Sequence, residues 1–255
     1  MTVYFIGAGP GAADLITVRG AQRLAECRTC LYAGSLVPAE LLERLPAGAV
    51  TIDTARMPLD RIVAEIAKAH AAGHDVARLH SGDLSLYSAM TEQLSRLRAL
   101  DIPYELVPGV PAFAAAAAAI DAELTVPGVG QSLLITRVST LSTDMPPGED
   151  LAAVGRSGVT LALHLAAHRT EQIVEALADS YGSDCPTATV AFASRSDQLV
   201  VRAPLAELTA ALAAAGITKT AVIFVGRALD GAAHPDLVDS YLYSQARMTK
   251  LRTDG

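Results

Sequence analysis

The sequence predicts an α/β protein made of two α/β domains, and three observations carry that prediction. In the first half, short β-like runs alternate with longer helix-like stretches, the pattern of parallel βα units. From Thr125 the texture changes and a second set of strands begins, two of them straddling Ser194-Arg195-Ser196-Asp197 as an antiparallel hairpin would. The 255 residues correspond to about 1.7 domains at roughly 150 residues each. Pro127-Gly128 punctuates the chain near its middle. The expected division is therefore 1–121 and 122–243, with a flexible basic tail over 244–255.

In order, residues 3–6, 29–32, 50–52, 76–79 and 104–107 read as strands, with helices over 18–26, 38–44, 59–72 and 88–100. The helix over 59–72 sets Ile62, Val63, Ile66, Ala67 and His70 on one face at spacings of three and four, and so is expected to lie on a sheet. After Pro108-Gly109 an alanine-rich helix contains Ala114 to Ala119 and ends near Asp121. In the second half, 131–135, 159–163, 188–192, 199–201 and 221–225 read as strands, and 171–178 and 205–214 as helices. Residues 139–150, with Pro146-Pro147-Gly148, read as a long surface loop placed to act as a lid. No internal repeat is evident.

Composition narrows the function classes. Apolar residues make up 51% of the chain but aromatics only 4%, so small aliphatics supply the core volume. The net charge of −7 argues against a nucleic-acid or anionic-membrane surface, and any anionic ligand needs a local basic pocket. The strongly apolar run at 112–120 is far shorter than the ~20 residues a membrane helix requires. No secretory signal is visible at the N-terminus, and three cysteines make no disulfide framework, so a soluble, cytoplasmic protein is expected.

Gly7-Ala8-Gly9-Pro10-Gly11-Ala12 follows the first strand directly, where glycines suit a bound phosphate, a cofactor or a tight structural turn. The spacing fits a dinucleotide fingerprint, which would make the protein a nicotinamide-dependent oxidoreductase. Against this, Pro10 removes a backbone N–H, and Tyr32-Ala33-Gly34-Ser35 offers no acid for a ribose. Ser81-Gly82-Asp83 lies at another strand end, placed either to accept ribose hydroxyls and hold an amino group or to cap a helix. Pro108-Gly109-Val110 repeats the arrangement one strand later, and the two turns point to a shared crevice. Cys27-Arg28-Thr29-Cys30 is a C-x-x-C without partners at zinc spacing, and neither the His70/His74 nor the His164/His168 pair carries a metalloprotease pattern, so no metal site is expected. Arg137 and Arg195, with Arg56 and Arg78 behind them, are candidates for binding carboxylates through the planar guanidinium fork.

Taken together, Gly7 to Gly11 with Leu15-Ile16-Thr17, Ser81-Gly82-Asp83, Val107-Pro108-Gly109-Val110 with the alanine helix, Thr160 to Leu165 and Thr220 to Gly226 resemble the tetrapyrrole (corrin/porphyrin) methylases. Within the family, Tyr32 to Val37 and Glu123 to Pro127, continuing through Gln131 to Thr136-Arg137, are most similar to the branch acting at C11 of precorrin-4 or its cobalt form. The resemblance implies a kidney-shaped homodimer, each subunit holding S-adenosyl-L-methionine in the cleft between its two α/β domains. It further implies methyl transfer to C11 of precorrin-4, giving precorrin-5 on the route to cobalamin, with cobalt-precorrin-4 as the alternative substrate. Carried over by position, the cofactor contacts fall on Pro10, Ser81, Gly82, Asp83, Leu86, Pro111, Ala112, Leu165, Ala193 and Ala221. The many carboxylates of such a macrocycle point to Arg137 and Arg195, then Arg56 and Ser35, as substrate-positioning residues. No catalytic base is singled out. Leu84 stands where the family usually has proline, and Ser88 where it often has glycine.

Overall fold

The structure, a computed structural model, describes residues 1–34, 36–139 and 144–253. It divides into two compact units: Met1–Ala115 together with the returning segment Phe192–Asp197, and Ala116–Ala191 with the described residues from Gln198 onward.

The first unit contains β1 (Val3–Gly7), α1 (Val18–Glu26), β2 (Thr29–Tyr32), β3 (Val50–Asp53), α2 (Leu59–Ala71), β4 (Val76–His80), α3 (Thr91–Ala99) and β5 (Tyr104–Val107). Its sheet has the order β3-β2-β4-β1-β5 and is parallel throughout, with Val3 opposite both Val76 and Tyr104. Alternation along β1 feeds both faces. Tyr4 and Ile6 pack with Leu24 of α1 and Leu41, whereas Val3 and Phe5 pack with Ile66 of α2 and Leu97 of α3. Helix α1 starts where the Thr17 hydroxyl accepts the Gly20 N–H at 3.1 Å. Because helices cover opposite faces and β4 returns between β1 and β2, the strand order reverses beside β1. Open α/β sheets bind ligands at the carboxyl ends of the strands at such a point.

The alanine run forms α4 (Ala112–Ala119), and the second unit continues with β6 (Leu133–Arg137), α5 (Leu151–Gly155), β7 (Thr160–His164), α6 (Thr170–Tyr181), β8 (Pro186–Ala191), β9 (Leu199–Pro204), α7 (Leu208–Ala214), β10 (Ala221–Val225) and α8 (Gln245–Thr253). This sheet has the order β6-β7-β10-β8-β9 and is mixed: only β6 and β7 are parallel. The expected hairpin is present as the antiparallel β8–β9 pair.

Several elements differ from expectation. The stretch 38–44 is a 3₁₀ segment, Ala39–Arg44, and the 205–214 helix is split into a 3₁₀ turn at Leu205–Glu207 followed by α7. The buried face of α2 uses Ala69 with Ile62, Val63 and Ile66, leaving Ala67 and His70 half-buried. Helix α3 begins at Thr91, three residues later than expected, because Tyr87 and Ala89 adopt positive φ of 53° and 50° and hold the preceding loop out of helical geometry. The tail, expected to be irregular, carries α8.

Candidate functional site

Three strand-end turns of the first unit meet backbone to backbone. A Cβ on Gly7 would lie 2.6 Å from the Gly109 Cα, and one on Gly109 would lie 2.2 Å from the Gly82 carbonyl oxygen. Only glycine permits that approach. Hydrogen bonds fix it: Gly9 N–H donates to the Gly82 carbonyl at 3.1 Å, Gly82 N–H returns to the Gly9 carbonyl at 2.8 Å, and Ala8 N–H reaches the His80 carbonyl at 2.7 Å. The Thr17 hydroxyl donates to the Pro108 carbonyl at 3.1 Å, joining the start of α1 to the turn after β5. The Ala8 and Gly9 donors of the turn after β1 are therefore spent inside the fold. The Ala12 N–H is taken by the Ser194 hydroxyl at 3.0 Å and Pro10 has none, so this is not a cradle for a pyrophosphate.

Asp83 locks the same assembly. Its Oδ2 accepts the Gly109 N–H at 2.8 Å, and its Oδ1 accepts the Ser85 N–H at 2.9 Å and the Ser85 hydroxyl. Burial alone would push the carboxyl up, but the donors from Ser85, Gly109 and Leu84 together outweigh it and hold the group below the usual carboxylate range. A carboxylate offers about four lone-pair sites, and the two Ser85 donors, Gly109 and Leu84 take them up, so a ligand that reaches Asp83 shares or displaces one of these donors.

The other candidates of this unit group around those turns. A Cβ on Gly82 would stand 3.7 Å from the Ala112 N and 3.9 Å from the Pro111 Cα, so Gly82, Pro111 and Ala112 form one small-residue wall beside Ser81 and Asp83. Ala193, in the returning segment, has its carbonyl only 2.7 Å from where a Gly11 Cβ would stand. Leu86 sits half-buried in the loop after β4. Leu84, the departure from the family pattern, is 6% exposed and anchors that loop in the core, and the Ser88 hydroxyl donates to the Leu84 carbonyl at 2.6 Å.

In the second unit the corresponding candidates lie along one end of the sheet. Arg137 pairs with His164, Leu165 follows the end of β7, and Ala221 opens β10 opposite Ala191. Leu165 is 57% exposed with a φ of 53°, a conformation a leucine rarely holds. Arg137 donates to the Val138 and Asp144 carbonyls at 3.1 and 3.2 Å, so it steadies the start of the 139–150 loop.

The arginines behave differently from one another. Arg195 makes a two-point ion pair with Asp197 at 3.0 and 3.3 Å and lies over the Phe192 ring. Arg56 is exposed, and its charge helps hold Asp53 low, behind the Ala55 and Gly34 N–H donors. Arg78 is 6% exposed and satisfied by Gln93 and Thr54, so it does not reach a substrate carboxylate as expected. Ser35, and residues 140–143 of the proposed lid, lie outside the described residues. Cys27 and Cys30 are buried in the core, and burial pushes both thiols up to about 12, far from a reactive thiolate. A cavity of about 540 Å³ in the second unit, lined by Asp121, Glu123, Arg202 and Asp230 among others, includes none of the candidate residues.

Sequence reasoning missed His80, Gln93 and Thr54. All three are buried polar side chains on elements otherwise read from apolar spacing. A charged residue and a histidine alternating along the β-run 76–80 were the available signal.

A parallel sheet whose glycine turns are locked together at its reversal point, followed by a mixed sheet, defines a two-unit α/β protein. The Tetrapyrrole (Corrin/Porphyrin) Methylases profile matches residues 2–209, and the chain belongs to this family. It is 61% identical to a precorrin-4 C(11)-methyltransferase of Rhodococcus erythropolis over 97% of this chain and 98% of that one. Among solved structures it matches a cobalamin biosynthetic enzyme, cobalt precorrin-4 methyltransferase, at 36% identity and a TM-score of 0.87, covering 90% and 96% of the two chains. It also matches a uroporphyrin-III C-methyl transferase from Thermus thermophilus complexed with S-adenosylhomocysteine, at 26% identity and a TM-score of 0.72, covering 90% and 93%.

Proposed function

We propose that this chain transfers a methyl group from S-adenosyl-L-methionine to C11 of precorrin-4, giving precorrin-5 in cobalamin biosynthesis. The observation that carries this reading is the near full-length likeness to precorrin-4 C(11)-methyltransferases, joined to strand-end turns that fit a methyl donor better than a dinucleotide. When bound, the donor supplies an electrophilic sulfonium methyl; its C–S bond breaks as the macrocycle carbon forms the new C–C bond, and the sulfur keeps the electron pair.

The residues fit that group. Ser81, Gly82, Pro111 and Ala112 present backbone and small side chains, Asp83 stays ionised, and Pro10, Leu86 and Ala193 flank them. Leu165 and Ala221, in the second unit, are the remaining proposed cofactor contacts. Transfer of this kind needs positioning more than acid–base machinery, and well-oriented reactants reach effective molarities of ~10⁵ M or more. Arg137 and Arg195, then Arg56 and Ser35, engage the substrate carboxylates; with a chain charge of −7, capture depends on these local cations. Arg195 first exchanges Asp197 for a substrate carboxylate, an even trade of one fork-to-carboxylate pair for another.

We place the protein in the cytoplasm as a homodimer. Three free, buried cysteines suit a reducing compartment, and exposed Tyr241, Leu242 and Tyr243 offer apolar surface for a second copy. Incubation with labelled S-adenosylmethionine and, in parallel, metal-free and cobalt-containing precorrin-4 tests the reading by mass spectrometry. Methylation of the metal-free substrate is expected; methylation of the cobalt form alone assigns the anaerobic route, and binding of NADH alone overturns the methylase reading.

A further inference from the structure

Arg78 carries a charge inside the first unit without a carboxylate in contact among the described residues. Its Nε donates to Gln93 Oε1 at 2.9 Å and its Nη1 to Thr54 Oγ1 at 3.1 Å, and all three side chains are at most 6% exposed. Burial lowers the guanidinium to about 10, which still leaves it protonated at neutral pH. A buried cation is poor value for stability, since a well-packed apolar residue of similar volume is often neutral or better. Its hydrogen bonds, by contrast, have a definite output.

Arginine only donates, so each partner is forced to accept at one end and donate at the other. Gln93 must turn Oε1 toward Arg78, which aims its Nε2 at the Ala89 carbonyl, 2.9 Å away. Thr54 must likewise send its hydroxyl proton to the Tyr32 carbonyl at 3.0 Å. Both chains end on strand-end loops. Tyr32 immediately precedes Ala33-Gly34, and Ala89, at positive φ, closes the loop that carries Leu86. His80, two residues along β4 on the same face, adds a backbone hydrogen bond with Ser88.

We propose that Arg78 is a positioning residue: from the core it sets the polarity of two hydrogen-bond chains that hold the turn after β2 and the loop after β4, and thereby sets affinity for the methyl donor. This rests on the methyltransferase reading for the ligand but not for the loop geometry. Without the guanidinium, the Gln93 amide is free to flip and present its oxygen to the Ala89 carbonyl, and the strained loop loses its tie.

Gln93→Glu is the sharpest test, because it keeps an acceptor for Arg78 while removing the donor to Ala89. Arg78→Met removes the polarity setter, and Thr54→Val removes the hydroxyl that links Arg78 Nη1 to the Tyr32 carbonyl while keeping the Thr54 N–H bond to that carbonyl. S-adenosylhomocysteine is titrated by calorimetry, with amide hydrogen exchange over 85–89 and a thermal midpoint for each variant. Expected are about tenfold weaker binding and faster exchange confined to that loop in Gln93→Glu and Arg78→Met, midpoints within a few degrees of wild type, and a smaller loss in Thr54→Val. If Arg78→Met does not fold, the other two variants carry the test. Wild-type affinity and loop protection in Gln93→Glu overturns the proposal, as does weaker binding with protection lost uniformly across the first unit. Failure of the wild-type protein to bind S-adenosylhomocysteine sinks the methyltransferase reading instead, while the exchange data still judge the loop.

Discussion

The carboxyl edge of the first sheet and the Arg137–Ala221 edge of the second are built on opposite principles. In the first, Gly7, Gly82 and Gly109 bring main chains within van der Waals contact, paired backbone hydrogen bonds join Gly9 to Gly82, and Asp83, Thr17 and Ser194 add ties that each end on a backbone group of the turns. In the second, the edge is defined by side chains: Arg137 reaching to loop carbonyls, Leu165 exposed in a strained conformation, Ala221 small and half-buried. Geometry written in backbone tolerates no added atom, whereas geometry written in side chains can be changed one residue at a time.

Four measurements break or sharpen the contrast. The largest effect is expected from Gly109→Ala, whose new Cβ would sit 2.2 Å from the Gly82 oxygen. Overpacking against main chain costs about 3 kcal/mol or more, read as a lower urea midpoint; a wild-type midpoint would show that the turns are not locked. Next comes acid sensitivity. Burial, helped by the charge of Arg78, lowers His80 to about 3 in the folded protein, below its ordinary value, so the unfolded chain takes the proton more readily. The contribution of neutral His80 is fully present above about pH 6.5 and is lost as pH falls toward 3, with a slope of at most about 1.4 kcal/mol per pH unit. His80→Phe is therefore expected to flatten the acid limb of a stability profile, and an unchanged limb would place the sensitivity elsewhere.

On the side-chain edge the effects should fall on binding and spare the fold. Arg137→Ala is expected to raise the KM for the tetrapyrrole about tenfold, the worth of a charge-assisted hydrogen bond, at unchanged S-adenosylhomocysteine affinity; an unchanged KM removes Arg137 from the site. The smallest effect is expected from Leu165→Ala. Its stability should stay within about 0.5 kcal/mol of wild type, as for exposed positions generally, while the Kd for S-adenosylhomocysteine rises about threefold from lost apolar contact. A destabilisation as large as that of Gly109→Ala would erase the distinction between the two edges.

Much of the fold was legible in the residues. Strands 29–32, 104–107 and 221–225 and helix 18–26 agree with the structure residue for residue, since each combines a clear apolar period with capping or turn residues at its ends. The start of α3 was misread because Tyr87 and Ala89 take positive φ against their own preference, held by Gln93 and the Ser88–Leu84 bond. The glycine turns were visible as a place for a ligand, but their spacing alone left a dinucleotide open. Whether their N–H groups face outward or into neighbouring turns depends on strands more than seventy residues apart.

The sequence by itself determined the α/β class, the parallel first sheet and the positions of the strand-end turns, because period, caps and glycines act over a few residues. Only the tertiary structure decided that Gly7, Gly82 and Gly109 share one contact, that Phe192–Asp197 returns to the first unit, and that Arg78 points into the core rather than at a substrate. Those outcomes depend on long-range approach and desolvation, and a local pattern of residues carries no record of either.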